Sequence, residues 1–410
     1  MSGPLRALMV VDSYPPDSLG GAERVVHGWS RELAARGCEV WVLAGRIGLP
    51  PGPDEERAGY RIRRWSSRRR TFLDGYASAL RACAAAAGRL FAERPPDIVH
   101  CHQGLSAYAV ISAELGAPAV CTFHAPWAEE FAEDARAREE GLPVFARPFY
   151  RLAVRLKTPR IHKMEGFSLA RSRAVATLSR YSRDLISRAH GLAPERVEVL
   201  PGGADLDRFT PAGAGEREEI RKRLGFTGPT LLSVRRLVRR MGLDLLIRAM
   251  VPIRAAAPDA RLVLAGRGPA RESLERLAAR LGVGDAVVFA GFVSEEDLPD
   301  YYRGADLFVL PTRTLEGYGV ATLEALASGT PVVGTPGGAT PEILGPLNAD
   351  LLAEAATPEA IAAAALRWLT APGRLGALRD QCREYVERRY RWSEAGEALE
   401  AFYRRALSGE

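Results

Sequence analysis

The stretch of sequence that decides the fold is PTRTLEGYGVATLEALASGTPVVG, residues 311–334. An apolar run ends at its first residue, and a second apolar run, residues 331–334, closes it. Between the two runs lie a glycine-containing loop, residues 316–319, and a helical pattern that ends at Gly329. Short apolar runs without alternation, separated by helices, are typical of parallel strands that helices cover on both faces.

The same pattern recurs on both sides of this stretch. Apolar runs occupy residues 7–11, 40–45, 98–102, 119–123, 174–179, 197–201, 231–234, 261–266, 287–291, 307–311 and 331–334. Helical patterns separate them, for example at residues 21–35 and 271–281. This alternation predicts an α/β protein with two Rossmann-like parallel-sheet domains facing each other across a cleft.

A Gly- and Pro-rich segment near the middle of the chain, PGGADLDRFTPAGAGE at residues 201–216, marks the expected domain boundary. We therefore predict an N-terminal domain over residues 1–203 and a C-terminal domain over residues 204–388. Residues 389–410 have helical spacing, and we expect this last helix to pack back on the N-terminal domain.

Charge and cysteine content narrow the class of protein. The net charge of +6 favours anionic partners such as nucleotide sugars or anionic lipid surfaces. No zinc-finger or RNA-binding signature is present, so nucleic acid is not an expected partner. The five cysteines form no Cys-x-x-Cys pair, which indicates reduced thiols and no metal site. The first apolar run is too short for a signal peptide, and we expect a cytoplasmic protein.

The loop and helix within residues 311–334 carry the strongest chemical signal. Gly317 and Gly319 let backbone N–H groups approach a ligand, and they precede a helix start near Val320, where the dipole favours a diphosphate. Glu316 and Glu324 flank this point, and carboxylates accept hydrogen bonds from hydroxyl groups. An anion cradle beside hydroxyl acceptors describes a nucleotide-sugar site.

At these residues the sequence resembles the retaining glycosyltransferases of family four, which have the GT-B fold. Seven residues separate Glu316 from Glu324, Gly-aromatic-Gly follows the first, and LEALASGTPVV contains and follows the second. The resemblance implies that Glu316 contacts the donor sugar and that the backbone of Gly317, Tyr318, Gly319 and Val320 holds sugar and phosphate. It assigns the ribose hydroxyls to Glu324.

The resemblance extends upstream to SVRRLVRRMG, residues 233–242. Family members have an arginine here and a lysine five residues later, and both neutralise the donor diphosphate. Arg236 matches the arginine, whereas Met241 stands at the lysine position. We expect Arg240 to supply the missing charge, and Arg239 is the second candidate. Backbone contact from Val293, beside Phe292, would hold the base.

In the N-terminal half, Gly20 and Gly21 resemble the family's glycine loop over the diphosphate, and His124 matches the family histidine beside the reaction centre. His100 and His102 share one face of a strand. We interpret them as core or cleft-lining residues, with a shared metal as the alternative.

Two segments combine arginines with aromatic and aliphatic residues, residues 61–70 and residues 147–163. One interpretation is a solvated helix face or loop. The other is a surface for an anionic membrane or a lipid-linked acceptor, which would place the protein peripherally on the inner membrane face.

The resemblance implies retention through front-face attack, without a metal or another cofactor, from a nucleotide-diphosphate donor. UDP is expected over GDP because it is the commoner base in the family, and the acceptor is unidentified: a glycan, a lipid-linked sugar or a small molecule. In this assignment Glu316, Arg236 and His124 serve the reaction, the N-terminal domain binds the acceptor and the C-terminal domain binds the donor. The alternatives are a catalytically silent nucleotide-sugar-binding or partner protein and a nucleotide-sugar epimerase of the same fold.

Overall fold

A computed structural model of the chain describes residues 3–17, 20–50, 52–67 and 75–409. The chain forms two compact units, one of residues 1–135, 142–203 and 392–410, the other of residues 136–141 and 204–391. Each unit contains one sheet. The strands of the second sheet are all parallel, and those of the first are parallel apart from one antiparallel pair, residues 55–57 with residues 60–67. The predicted fold class is confirmed: both halves are α/β with parallel sheets.

The first unit has an eight-stranded sheet in the order β3-β4-β2-β1-β5-β6-β7-β8. Its strands are β1 (Arg6–Val11), β2 (Glu39–Ile47), β3 (Glu55–Arg57), β4 (Tyr60–Ser67), β5 (Ile98–Cys101), β6 (Ala119–Phe123), β7 (Ala174–Thr177) and β8 (Val197–Val199). Its helices are α1 (Gly21–Ala35), α2 (Gly75–Glu93), α3 (Gly104–Ser112), α4 (Trp127–Glu140), α5 (Arg147–Arg171) and α6 (Arg180–His190), together with the C-terminal helix (Trp392–Ser408).

The second unit has a five-stranded sheet in the order β11-β10-β9-β12-β13. Its strands are β9 (Thr230–Val234), β10 (Arg261–Ala265), β11 (Val287–Gly291), β12 (Leu307–Leu310) and β13 (Val332–Gly334). Its helices are α7 (Ala214–Leu224), α8 (Leu243–Ala256), α9 (Arg271–Arg280), α10 (Leu298–Gly304), α11 (Val320–Ala327), α12 (Thr340–Leu344), α13 (Pro358–Leu369) and α14 (Pro372–Arg389).

The strand orders place one switch point in each sheet. In the first sheet β1 lies between β2 and β5, and in the second β9 lies between β10 and β12. The central strands are buried on both faces, as their uninterrupted apolar sequences require: all four residues of β5 and of β12 are buried. Ligands of open parallel sheets bind outside the carboxyl ends of the strands at such a switch point.

The arginine-rich segment at residues 61–70 differs from the prediction. Residues 61–67 belong to β4, which pairs in parallel with β2 along its length, so the interpretation as a helix face or a loop is wrong for them. Trp65 is buried, and the buried Arg64 forms ion pairs with Asp17 and Glu55. Tyr60 and Ile62 alternate with arginines because strand neighbours point to opposite faces. Residues 68–70 lie outside the described residues.

The C-terminal helix packs on α1 within the first unit. A Cβ on Gly28 would lie 2.4 Å from the ring of Trp392, so only glycine permits this approach. Further along, Gly396 lies against Glu32, and Tyr403 is fully buried. Among the helices of the described residues, none has the length and apolarity that a membrane crossing requires.

Candidate functional site

In the second unit, the loops that follow β9 and β12 lie against each other. Gly242 has φ +70°, and a Cβ there would lie within 1.9 Å of the Pro311 carbonyl oxygen. The Arg313 N–H donates to the Arg240 carbonyl oxygen at 3.0 Å. These contacts bring the arginine-rich loop beside the loop that carries Glu316, at the switch point of the sheet.

Glu316 is held by charge. Arg235 Nη2 donates to Glu316 Oε2 at 2.5 Å, and the same guanidinium donates to Thr312, whose hydroxyl lies 3.3 Å from Oε2. The side chains of Arg235 and Glu316 are 8% and 13% exposed. Within the described residues, Glu316 Oε1 makes no hydrogen bond, so one carboxylate oxygen is available to a ligand hydroxyl. Arg235 was not predicted as a site residue, because the arginine of the family pattern falls on its neighbour Arg236.

A glycine pair after β13 fixes the backbone of Glu316. A Cβ on Gly338, which has φ +65°, would lie 2.3 Å from the Glu316 carbonyl oxygen. The following Ala339 N–H donates to that oxygen at 2.8 Å. Gly337 and Gly338 were not predicted as site residues, although a double glycine separated from a parallel strand by two residues is a usable signal.

The start of α11 has the geometry of an anion site. Gly319 has φ +88°, and its carbonyl oxygen accepts the first intrahelical bonds, from the N–H groups of Thr322 and Leu323. The amide of Val320 therefore precedes the hydrogen-bonded part of the helix. The Thr322 hydroxyl is buried and has no hydrogen-bond partner within the described residues.

Glu324 is buried in α11, and it is not a solvated carboxylate. It is 5% exposed, and the Tyr302 hydroxyl donates to its Oε2 at 3.0 Å. Tyr302 is itself fully buried, and its carbonyl oxygen accepts a hydrogen bond from Thr330. Tyr302 fixes one oxygen of the carboxylate that the family resemblance assigns to the ribose hydroxyls. The sequence around Tyr302 in α10 does not indicate this contact.

The cations of the β9 loop differ in environment. Arg236 and Arg239 are exposed, whereas Arg240 is partly buried, with Nη1 3.5 Å from the Leu315 carbonyl oxygen. Met241 is buried and 8% exposed, which suits a thioether at the position where the family has lysine. Arg240 thus lies on the side of the loop that faces residues 311–319.

The predicted base-binding residues follow β11. Phe292 is 54% exposed, and the guanidinium of Arg267 lies 5.3 Å from its ring centroid. Val293 is partly buried.

In the first unit, the predicted glycine loop ends at α1, where a carboxylate is already present. Glu23 is 5% exposed, and its Oε2 would lie 2.4 Å from a Cβ on Gly20. The Ser13 hydroxyl donates to Glu23 Oε1 at 2.7 Å, and Gln103 Nε2 donates to it at 3.3 Å. Gly20 and Gly21 therefore lie at the start of a helix whose first turn contains the buried Glu23. This glutamate was not predicted as a site residue.

His124 follows β6 and contacts His102. His102 Nδ1 lies 3.2 Å from His124 Nε2, and His102 Nε2 lies 3.4 Å from Met9 Sδ. Burial lowers the pKa of His124 to about 4 and holds the pKa of His102 well below its usual range. A thioether only accepts, so the geometry assigns the His102 proton to Nε2 and makes His124 Nε2–H the donor to His102. This leaves Nδ1 of His124 as the acceptor.

His100 completes this cluster. Its Nδ1 lies 2.7 Å from the Tyr403 hydroxyl and its Nε2 lies 2.7 Å from the Thr122 hydroxyl. Trp29 stacks on its ring, and burial lowers its pKa well below the ordinary value. Both nitrogens are occupied, which favours the core interpretation of His100 and His102 over a shared metal.

Comparisons with known proteins agree with this architecture. The family described as "Glycosyltransferase Family 4" matches residues 19–208, and "Glycosyl transferases group 1" matches residues 216–389. The chain is 31% identical to a D-inositol 3-phosphate glycosyltransferase of Xylanimonas cellulosilytica, over 98% of this chain and 97% of that protein.

Two further similarities cover different shares of the chain. Over 238 residues it is 37% identical to a GDP-mannose-dependent alpha-(1-6)-phosphatidylinositol monomannoside mannosyltransferase of Mycobacterium tuberculosis. That match covers 56% of this chain and 61% of the relative, so the chain spans about three fifths of the length of this relative. Among solved structures, a sucrose-phosphate synthase from Thermosynechococcus elongatus shares the fold, with a TM-score of 0.80, 22% identity and coverage of 99% of this chain and 100% of the other.

The family assignment rests on two findings. The match to the Xylanimonas protein extends along nearly the whole of both chains, and the two family matches lie one in each half of this chain. The chain belongs to the family-four glycosyltransferases of the GT-B fold.

Proposed function

We propose that this enzyme transfers a mannosyl group, with retention, from GDP-mannose to a lipid acceptor that carries a phosphoinositol headgroup. The observation that carries the transferase part is the environment of Glu316: one oxygen is fixed by Arg235 and Thr312, the other makes no bond within the described residues, and α11 starts four residues further along. A hydroxyl acceptor beside an anion-binding helix end suits a sugar linked to a diphosphate.

In this proposal the predicted residues keep the roles that the family implies. Glu316 accepts hydrogen bonds from the sugar, and the backbone from Gly317 to Val320 binds sugar and phosphate. Glu324 accepts from the ribose, and Val293 holds the base by backbone contact. Gly20 and Gly21 contribute amides to the diphosphate.

The reaction needs charge and orientation rather than a protein nucleophile. The bond from the anomeric carbon to the donor phosphate breaks, the acceptor oxygen bonds to the same face, and its proton goes to the departing phosphate oxygen. Arg236 and Arg240 stabilise the charge that develops on the diphosphate. His124 is neutral at pH 7, since its pKa is about 4, and it orients the sugar by hydrogen bonding without charge.

The donor base rests on the named relatives. The family resemblance alone favours UDP, whereas a relative at 37% identity is named as GDP-mannose-dependent. That match is stronger in identity than the full-length one, and its name specifies both base and sugar. We therefore choose GDP-mannose over UDP-hexoses for this chain.

An exposed face of α5 supports a lipid acceptor. Phe145, Phe149, Leu152 and Leu156 are spaced by four, three and four residues, which places them along one side of the helical segment, and they are 78%, 77%, 55% and 56% exposed. Arg151, Arg155 and Arg160 are exposed on the same helix. An apolar stripe among arginines is typical of a helix that lies in the interface of an anionic membrane.

The donor is tested by a turnover screen of GDP-, UDP- and ADP-sugars against phosphatidylinositol vesicles and soluble inositol phosphate. We expect transfer from GDP-mannose to the lipid. Transfer from UDP-sugars alone would overturn the choice of base, and transfer to the soluble acceptor alone would overturn the lipid. Binding without turnover against a broad acceptor library would support a silent binding protein, and sugar interconversion without an acceptor would support the epimerase.

The membrane surface is tested with Phe149→Ser combined with Leu152→Ser. We expect the wild type to cosediment with phosphatidylinositol-containing vesicles at low salt and the double variant to remain in the supernatant. Val251→Ser is the matched control, because Val251 is also an exposed aliphatic residue (43%) on a helix, outside α5. A wild type that stays in the supernatant, or a double variant that still sediments, would contradict the proposal.

A further inference from the structure

Three side chains, two within α5 and one at the end of α6, form a cluster that takes no part in the proposed transfer. His162 and Glu165 lie on α5, and His190 is the last residue of α6. His190 Nε2 lies 2.9 Å from Glu165 Oε2, and the rings of His162 and His190 stack with centroids 4.3 Å apart. One donor atom from each of the three lies within 4.8 Å of the others.

Glu165 is the central member of this cluster. Its side chain is 7% exposed, and that of His190 is 4% exposed. The other oxygen, Oε1, accepts the N–H of Trp127, the first residue of α4, at 2.9 Å. A buried carboxylate is costly unless positive charge or hydrogen bonds compensate it. A cation between Glu165 and the two imidazoles would supply that compensation directly.

We propose that His162, Glu165 and His190 bind one zinc ion. Two imidazole nitrogens and one carboxylate oxygen are ligands that zinc accepts, in a tetrahedral site whose fourth position is left to water. His162 and Glu165 are three residues apart on a helix and so lie on the same face. His162 is exposed, which gives the ion a path from solvent.

The neighbouring contact fits the same role. Metal-binding carboxylates are themselves hydrogen-bonded, and Glu165 receives the Trp127 N–H on the oxygen that His190 does not contact. The ion would link α5 to α6 and, through Glu165, fix the start of α4. The consequence is greater stability of the first unit, because a ligand that binds only the folded state stabilises it. No step of the sugar transfer passes through this ion.

The test uses the full chain after treatment with EDTA and without any nucleotide sugar. Zinc is titrated by calorimetry, Co²⁺ is added as a visible-absorption probe of tetrahedral ligands, and the melting temperature is measured with and without zinc. We expect one zinc per chain, a cobalt spectrum with d–d bands, and a higher melting temperature with zinc. In His162→Ala the zinc affinity should fall at least about tenfold, the lower end of what the loss of a supporting group costs a metal site.

Three further variants, Glu165→Gln, His190→Ala and His27→Ala, complete the test. Glu165→Gln should also lose the zinc-dependent rise in melting temperature, while His27→Ala, a histidine on α1 that bonds Tyr60, should keep it. Because His162 is exposed, its replacement removes the ring that stacks on His190 but no residue of the core. Absence of saturable zinc binding by the wild type, or equal zinc affinity in the wild type, His162→Ala and His190→Ala, would overturn the proposal. These outcomes are independent of donor turnover, so the transferase proposal stands or falls separately.

Discussion

The candidate residues of the two units are held by different forces. Around Glu316 in the second unit, an ion pair holds a charged carboxylate, while a backbone N–H and a close-packed glycine fix the main chain of the same residue. Around His124 in the first unit, two neutral imidazoles, His100 and His102, are buried against Trp29 and against hydroxyl and thioether groups, and the partly buried His124 bonds to His102. A charged group needs a partner of opposite sign close in space, whereas a buried imidazole needs only hydrogen bonds and the absence of charge.

The difference indicates a division of labour in the proposed reaction. Residues near Glu316 bind and stabilise charge on the donor, where strong electrostatic contacts help. The histidine cluster supplies a neutral surface with one fixed hydrogen-bonding nitrogen, which orients a sugar without attracting the diphosphate. The following experiments separate these roles.

The largest effect is expected for Glu316→Gln. The amide keeps the size of the side chain but removes the charge that pairs with Arg235, so kcat/KM should fall about a hundredfold to a thousandfold. Steady-state kinetics with the preferred donor measures this. The exposed Glu354→Gln in the same unit is the control and should retain wild-type rates. Near-wild-type activity of Glu316→Gln would remove this carboxylate from the mechanism.

Arg235→Ala probes the ion pair as a source of stability. Removal of one partner leaves Glu316 poorly compensated, and we expect the free energy of unfolding to fall by about 3 kcal/mol. Urea unfolding of this variant and of Arg239→Ala, an exposed arginine in the same loop, gives the comparison. The control should stay within about 0.5 kcal/mol of the wild type. Equal stability of both variants would show that charge does not hold Glu316.

Arg240→Ala tests whether this residue replaces the family lysine that Met241 displaces. We expect the KM for the donor to rise about tenfold, equivalent to about 1.4 kcal/mol, since one cation near the diphosphate is lost. Arg239→Ala serves again as the neighbour control. If the two variants bind donor equally well, Arg240 is not the substitute.

The smallest effect concerns pH and the histidine cluster. The pKa of His124 in the folded chain, about 4, is below the value of about 6.5 expected when unfolded. Its contribution to stability is therefore complete above pH 6.5 and is lost as the pH falls towards 4, because the unfolded chain takes up the proton. In His124→Gln the free energy of unfolding should fall less steeply in this window, by up to about 1.4 kcal/mol per pH unit.

Urea unfolding at several pH values between 4 and 7 measures this slope. His27→Gln, which leaves the cluster intact, is the matched control. Identical slopes for the wild type and His124→Gln would mean that folding does not lower the pKa of His124 and would end the contrast between the two units.

Much of the candidate donor site could be predicted because its residues are close in sequence. Glu316, Gly319 and Glu324 lie in one strand–loop–helix segment, and local spacing sets their positions relative to α11. Arg235, Tyr302 and Gly338 could not be placed from local pattern, since each reaches the site from a different element.

The strand at residues 60–67 was missed for a related reason. Its arginines resemble a solvated charge run, and only the pairing of β4 with β2 and the burial of Arg64 show that the segment is part of the sheet. The histidine cluster is more remote still, because Met9, His102, His124 and Tyr403 come from four elements and meet only after the C-terminal helix packs.

By itself, the sequence determined the α/β class, the position of the loop that carries Glu316, and the family, because these depend on periodicity and on motifs shorter than about 25 residues. The tertiary structure decided which cation pairs with Glu316, which ring nitrogens of His102 and His124 carry a proton, and where three potential zinc ligands meet. Hydrogen bonds, burial and ion pairs act over a few ångströms in space, and no spacing along the chain records which distant residues come that close.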